Sequence, residues 1–334
     1  MDRIPAYFHS KQLEFKPVYE WAMGRRIDHP ETTARAESIL AALESAETFE
    51  MIEPESHPLA AIREVHSYQL LTLYNTARHL EDDFYPSVFP RELREMGDPT
   101  NIRHAGCYCF DSGTPLNNMT FEAAAWSAGC AYDAAGKLAG GAPLVYSLSR
   151  PPGHHATEQF FGGYSYFNNS VIAAKRLSQH GRVAVLDIDF HHGNGTQSIF
   201  YRDPSVLTVS IHGDPTHFFP FYCGFSNETG EGEGAGYNLN FCLPAKTTLE
   251  AYLETLEEAL EAVAHFDAEL LVLAAGFDGY KLDPIGDWLL ETEDYSAIGE
   301  HISRLGLPTL VVQEGGYYTD HLGRNAVALL SALR

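Results

Sequence analysis

Five short apolar runs punctuate the chain, at 144–148, 183–188, 206–211, 270–275 and 309–313. Each is too short for a buried helix and rich in Val, Leu and Ile, which predicts strands buried on both faces. Between and around them, helical-period patterns run near 60–80, 121–138, 169–180, 248–265, 294–305 and 322–333. Alternation of the two patterns predicts an α/β protein, a single-domain open, mostly parallel β-sheet with helices on both faces. Thr247-Thr-Leu-Glu250 reads as a capping box opening one of the helices, and Glu228 to Gly236 reads as a loop by composition. No internal repeat and no Ser/Gly/Pro linker divides the 334 residues, so one catalytic domain over 1–334 is expected.

Four of the strand runs end in polar groups, the arrangement by which open parallel sheets build sites at their C-terminal edge. The 183–188 run leads into Asp187-Ile-Asp-Phe-His-His-Gly-Asn-Gly195. Strand alternation points Asp187, Asp189 and His191 to one side and Ile188 and Phe190 to the other. Strands avoid Asp, and aligned buried carboxylates call for a cation, so the pattern outlines a metal site; the plain alternative is a polar loop that follows a strand. The 144–148 run leads into Pro151-Pro-Gly-His-His155, where two prolines hold adjacent histidines rigidly enough for proton transfer. The remaining two lead into Gly276-Phe-Asp278 and Glu314-Gly-Gly-Tyr317.

These segments, with Gly162-Gly-Tyr164, resemble in order and spacing the histone-deacetylase-like amidohydrolases, over a span from about His9 to the C-terminus. The resemblance implies the arginase–deacetylase fold. It makes Asp189, His191 and Asp278 the metal ligands, an O,N,O set suited to catalytic Zn²⁺ and open to Fe²⁺. His-Gly-Asn after His191, in place of the further ligands of arginase-like relatives, favours one metal. His154 and His155 would flank the attacking water, Asp187 holding His154 and Asn194 holding His155. A carboxylate raises the basicity of an imidazole more than a carboxamide does, so the resemblance makes His155 the general base. Tyr317 would stabilise the oxyanion. Tyr164 and Phe219 would wall the acyl-amine tunnel, with Gly163, Asp111 and Ile285 as further substrate contacts. A structural K⁺ would lie on Asp187, Asp189, His191, Ser210 and Ile211, and a second on Phe200, Asp203, Val206 and Tyr237.

Composition narrows the partners. A net charge of −23 disfavours nucleic acid and favours polycations, although acidity also serves plain solvation. Five scattered cysteines without Cys-x-x-Cys argue against a disulfide framework and a zinc knuckle. The N-terminus lacks a signal-peptide pattern and no apolar run reaches membrane-spanning length, so the expected place is the cytoplasm, away from membranes. After a helix reading from His66 to Leu80, residues 81–106 form a long insertion rich in turn formers and aromatics. Bacterial acetylpolyamine amidohydrolases carry a similar insertion, which implies a homodimer contact that narrows the tunnel mouth. The acidic residue that contacts a distal ammonium in some of those enzymes falls on Gly113 here, with Asp111 the nearest substitute. The expected activity is removal of acetyl groups from acetylated polyamines or related small cationic amines. A broad acyl-lysine deacylase is the alternative, and a non-catalytic acyl-amine binder is a third reading that the retained His, Tyr and ligand residues disfavour.

Overall fold

The computed structural model describes residues 3–55, 57–90 and 97–334. Its centre is an eight-stranded sheet in the order β4-β1-β5-β10-β9-β6-β7-β8. The strands are β1 (Ile4–Tyr7), β4 (Phe49–Ile52), β5 (Leu144–Ser147), β6 (Val183–Asp187), β7 (Val206–Gly213), β8 (Asn238–Leu243), β9 (Leu270–Ala275) and β10 (Thr309–Gln313). Every pairing among them is parallel. A separate antiparallel hairpin joins β2 (Tyr19–Ala22) to β3 (Arg25–Asp28). Its two-residue turn has positive φ at both Met23 and Gly24, the conformation that matches hairpin twist.

Alternation along the central strands sorts side chains into two cores. Val183 and Val185 enter one core while Ala184, Leu186 and Ile188 enter the other; Val272 opposes Leu271 and Leu273 in the same way. The first core is closed by α2 (Leu59–Val65), α3 (Tyr68–Ala77), α4 (Thr120–Ala139) and α5 (Asn169–Leu177). The second is closed by α1 (Thr33–Ser45), α7 (Leu249–His265), α8 (Thr292–Ser303) and α9 (Thr319–Ala332). Each fully buried Val or Leu contributes about 1.5–3 kcal/mol, and the adjacent strands β5, β10, β9 and β6 are buried along their whole length. Their C-terminal ends lie side by side, which places the four polar segments together.

Several expectations need correction. The pattern at 60–80 is two helices: α2 ends at His66, and Ser67 begins α3 by accepting a hydrogen bond from the Leu70 amide. The His66 ring instead bridges the Thr157 carbonyl and the Asn168 amide, so the break serves a long-range contact that local periodicity does not show. The capping box at Thr247 does not form, because Thr248 is the cap and Thr247 donates its hydroxyl to the Pro244 carbonyl. The strands β1, β4 and β8, the β2–β3 hairpin, α1 and α6 (Asn194–Phe200) were not anticipated. Among the described residues no helix is long and apolar enough to cross a membrane. Part of the 81–106 insertion, residues 91–96, lies outside the described residues.

Candidate active site

At the end of β6 the chain turns on its own carboxylates: the Asp189 amide donates to Asp187 Oδ1 at 3.1 Å and the His191 amide to Asp189 Oδ1 at 2.9 Å. Asp278, on the loop after β9, accepts from the Phe190 amide at 2.9 Å and meets His191 Nδ1 at 2.8 Å through Oδ2. Asp189 Oδ2 accepts from the Gly315 amide at 2.7 Å. A Cβ at Gly315 would lie 2.5 Å from Asp189 Oδ2 and 2.6 Å from Asp278 Oδ2, so only glycine lets the loop after β10 close over both carboxylates.

Asp189, His191 and Asp278 each offer a donor atom within 4.8 Å of the others, the one such group among the described residues. Both carboxylates are buried side by side, and their acidities are pushed in opposite directions. Burial and the neighbouring Asp189 push the Asp278 carboxyl up, while His154 and His191 pull Asp189 down against its own burial. A divalent cation satisfies that arrangement, and two carboxylate oxygens with one imidazole nitrogen are a fitting donor set.

The two histidines stand above this group with ring centroids 4.0 Å apart. His154 Nδ1 lies 2.9 Å from Asp187 Oδ2, and His155 Nδ1 lies 2.7 Å from Asn194 Oδ1. The Asn194 amide orientation is fixed independently, since its Nδ2 donates to the His155 carbonyl and to the Tyr222 hydroxyl at 3.1 Å. Asn194 Oδ1 therefore accepts from His155 Nδ1–H, and Nε2 carries the lone pair. Burial opposes charge on His154, but Asp187 and Asp189 outweigh it and hold the imidazole up at about 10. Burial and the charges on His154 and His191 push His155 well below its ordinary value. The Pro151–His155 loop is pinned from below by Glu314, whose Oε2 accepts from the Gly153 and His154 amides at 2.7 and 3.0 Å.

Tyr317 faces His155 and His191 across a cavity of about 620 Å³ whose walls include Tyr164, Phe219, Gly163, Asp111 and Ile285. The Phe219 ring stands edge-on to His155 at 5.0 Å and Tyr164 edge-on to Tyr317 at 5.9 Å. Beneath Tyr317 lies the buried Arg35, its guanidinium 4.6 Å from the ring centroid. Arg35 donates to the Gly316 and Glu314 carbonyls and pairs with Glu31 at 2.9 Å, which also pairs with Arg150 at 2.9 Å. Among the expected cation-site residues, Ser210 stands opposite Asp187 in the β6–β7 register, and two residues after Val206, where β7 begins, the Thr208 amide donates to the Tyr237 carbonyl. Phe200 ends α6, and its carbonyl accepts from the Asp203 amide.

Sequence reasoning missed Glu20, the most informative wall residue. It comes from β2, is only 5% exposed, and its Oε2 accepts from the Tyr164 hydroxyl at 2.6 Å. Gly113 makes the room: a Cβ there would sit 2.9 Å from Glu20 Oε2. Asp111, the expected substitute, has both oxygens engaged by the amides of Gly113, Thr114 and Gly163 and by the Thr114 hydroxyl. It shapes the turn that carries Tyr164. Glu20 sits on the short β2–β3 hairpin, whose four-residue strands carry no strong local pattern. Phe89 of the insertion, with Trp21, Met23, Phe221 and Tyr222, forms the exposed apolar rim of the cavity.

A fold and site of this kind define a deacetylase-type protein, and the comparisons agree: residues 29–333 match a histone deacetylase domain, and the chain belongs to that family. It is 40% identical to an acetylpolyamine amidohydrolase of Burkholderia pseudomallei, over 96% of each chain. It is 39% identical to acetylpolyamine amidohydrolase 2 of Pseudomonas aeruginosa, over 90% of each. The crystal structure of the acetylpolyamine aminohydrolase from Burkholderia pseudomallei superposes with a TM-score of 0.93 at 37% identity, covering 98% of both chains.

Proposed function

We propose that this chain is a metal-dependent amidohydrolase that removes acetyl groups from acetylated polyamines or related small cationic amines. The observation that carries the substrate class is the charge inside the cavity. Its described lining residues include the carboxylates Glu20 and Asp111 and no Lys or Arg. A carboxylate buried on a tunnel wall and held by a tyrosine hydroxyl is a receptor for an ammonium group. The names of the relatives point the same way.

The bound divalent cation, with Zn²⁺ the expected ion and Fe²⁺ compatible with the same donors, would polarise the acyl carbonyl and acidify the attacking water. Asp189, His191 and Asp278 would hold it. Neutral His155 is oriented by Asn194 so that Nε2 takes the proton from water and later delivers one to the leaving amine. His154, kept charged by Asp187, stabilises negative charge rather than accepting a proton. The Tyr317 hydroxyl donates to the developing oxyanion, with Arg35 and the Glu314 carbonyl fixing the floor under its ring. Phe219 and Tyr164 exclude water from the acyl chain. A structural K⁺ beside the site belongs to the same reading, supported by the Asp187–Ser210 register. So does a homodimer through the 81–106 insertion, supported by the exposed Val88 and Phe89 beside the rim.

Chelation followed by metal return tests the proposal. Deacetylation of an acetylated polyamine should vanish with the metal and return at one equivalent of Zn²⁺ or Fe²⁺ per chain, and Asp278→Ala should neither bind metal nor turn over. Full metal occupancy in Asp278→Ala would overturn the ligand assignment.

A further inference from the structure

The chemistry above leaves one buried carboxylate unused. Asp283 lies on the loop beyond Asp278, is 8% exposed, and has no ion pair among the described residues. Four backbone amides from two loops converge on it instead. Oδ2 accepts from the Tyr317 amide at 2.6 Å and the Tyr318 amide at 3.1 Å. Oδ1 accepts from the Ile285 amide at 3.1 Å and the Gly286 amide at 3.3 Å. The loop carrying these groups is seated hard on Asp278: a Cβ at Gly286 would lie 1.7 Å from the Asp278 carbonyl oxygen.

This carboxylate is therefore the point at which the Asp278 loop, the tunnel wall at Ile285 and the backbone of Tyr317 are joined. Tyr317 needs such a tie. It follows Gly315-Gly316, with Gly316 at φ +110, a backbone that by itself sets the ring poorly because glycine leaves its dihedrals free. Its hydroxyl must sit within hydrogen-bond reach of an oxygen that appears only in the transition state, where a displacement of about 1 Å costs on the order of 10²-fold. We infer that Asp283 is a positioning residue for Tyr317, locking the tyrosine's backbone to the tunnel wall so that the hydroxyl height over the acyl carbon is fixed. The inference rests on the reading of Tyr317 as the oxyanion donor.

The test is a double-mutant cycle on the metal-loaded enzyme with Asp283→Asn, Tyr317→Phe and both together. Asparagine keeps the size of the side chain but turns one acceptor into an NH₂ group facing backbone donors. Asp283→Asn should keep one metal per chain and leave KM within about threefold, while kcat falls roughly 10- to 100-fold. In the Tyr317→Phe background the same substitution should add less than about threefold, because the hydroxyl it positions is gone. Equal losses in both backgrounds, or a single variant within threefold of wild type, would overturn the inference, since a plain structural staple acts whether or not the hydroxyl is present. If Tyr317→Phe alone turns over like wild type, the electrophile reading fails, and the inference with it. A normal contribution from Tyr317 with additive losses sinks the positioning role alone. Should Asp283→Asn not fold, Asp283→Ser, which retains one short acceptor, enters the same cycle with the same two outcomes.

Discussion

Replacing Glu20 by Gln isolates one charge on the tunnel wall. The amide retains a carbonyl oxygen to accept from the Tyr164 hydroxyl, so the wall keeps its shape and loses only its anion. A charge-assisted hydrogen bond contributes about 1.5–3 kcal/mol, and at 5% exposure little of it is screened away by solvent. Taking the lower part of that range, KM for an acetylated polyamine should rise roughly 10- to 30-fold, since about 1.4 kcal/mol is tenfold. Turnover should change little, because the distal ammonium is remote from the reacting carbonyl. The pH dependence gives a second reading. Burial and Asp111 push the Glu20 carboxyl up, against the hydrogen bond from Tyr164, so the anion is lost on acidification through that raised value. KM for the cationic substrate should climb as pH falls across this range in the wild type, and Glu20→Gln should flatten that limb. The assay is steady-state hydrolysis of an acetylated diamine beside a neutral N-alkylacetamide of matched length. Equal changes in KM for the two substrates would show that Glu20 only supports Tyr164.

Tyr317→Phe should lower kcat by roughly 10²–10³-fold with substrate affinity nearly kept, measured by turnover and by equilibrium binding of a substrate to the slow variant. Arg35→Ala removes one partner from the buried Glu31–Arg35–Arg150 group and should destabilise the fold by about 3–5 kcal/mol, read as a lowered midpoint in denaturant. An unchanged midpoint would mean that Arg150 alone compensates Glu31. Replacing residues 81–106 by a short Gly/Ser link should give a monomer that gains activity on acetyl-lysine peptides and loses it on small acetylamines; a variant that stays dimeric and still rejects peptides would contradict the proposed gate.

The central strands were readable because burial on both faces writes itself as unbroken apolar runs, and their C-terminal polar groups then located the site. The structure brings together the residues the motifs singled out: His154 with Asp187, His155 with Asn194, Asp189 and His191 with Asp278, and Tyr164, Phe219 and Tyr317 around one cavity. The strands toward one side of the sheet were not readable: β1 and the edge strand β4 are four residues each, and their partners are set by topology rather than by local pattern. α1 carries a helical apolar spacing at Ala36, Ile39 and Leu43, but its buried face also holds Arg35, which breaks the pattern because it serves the site floor. Glu20 and Asp283 share one reason for being missed. Each is a polar side chain on a short loop or hairpin whose direction is fixed by partners far away in sequence, Tyr164 for one and Tyr317 for the other.

The substrate class is decided by kcat/KM for an acetylated polyamine and for an acetyl-lysine peptide, measured side by side on one metal-assayed preparation and at two salt concentrations. One divalent ion per chain is expected, with a clear preference for the small cationic amine, and that preference should shrink as added salt screens the long-range attraction of a chain of net charge −23 for the polycation. Equal or better hydrolysis of the peptide, with no salt dependence particular to the polyamine, would contradict it and leave a general acyl-lysine deacylase.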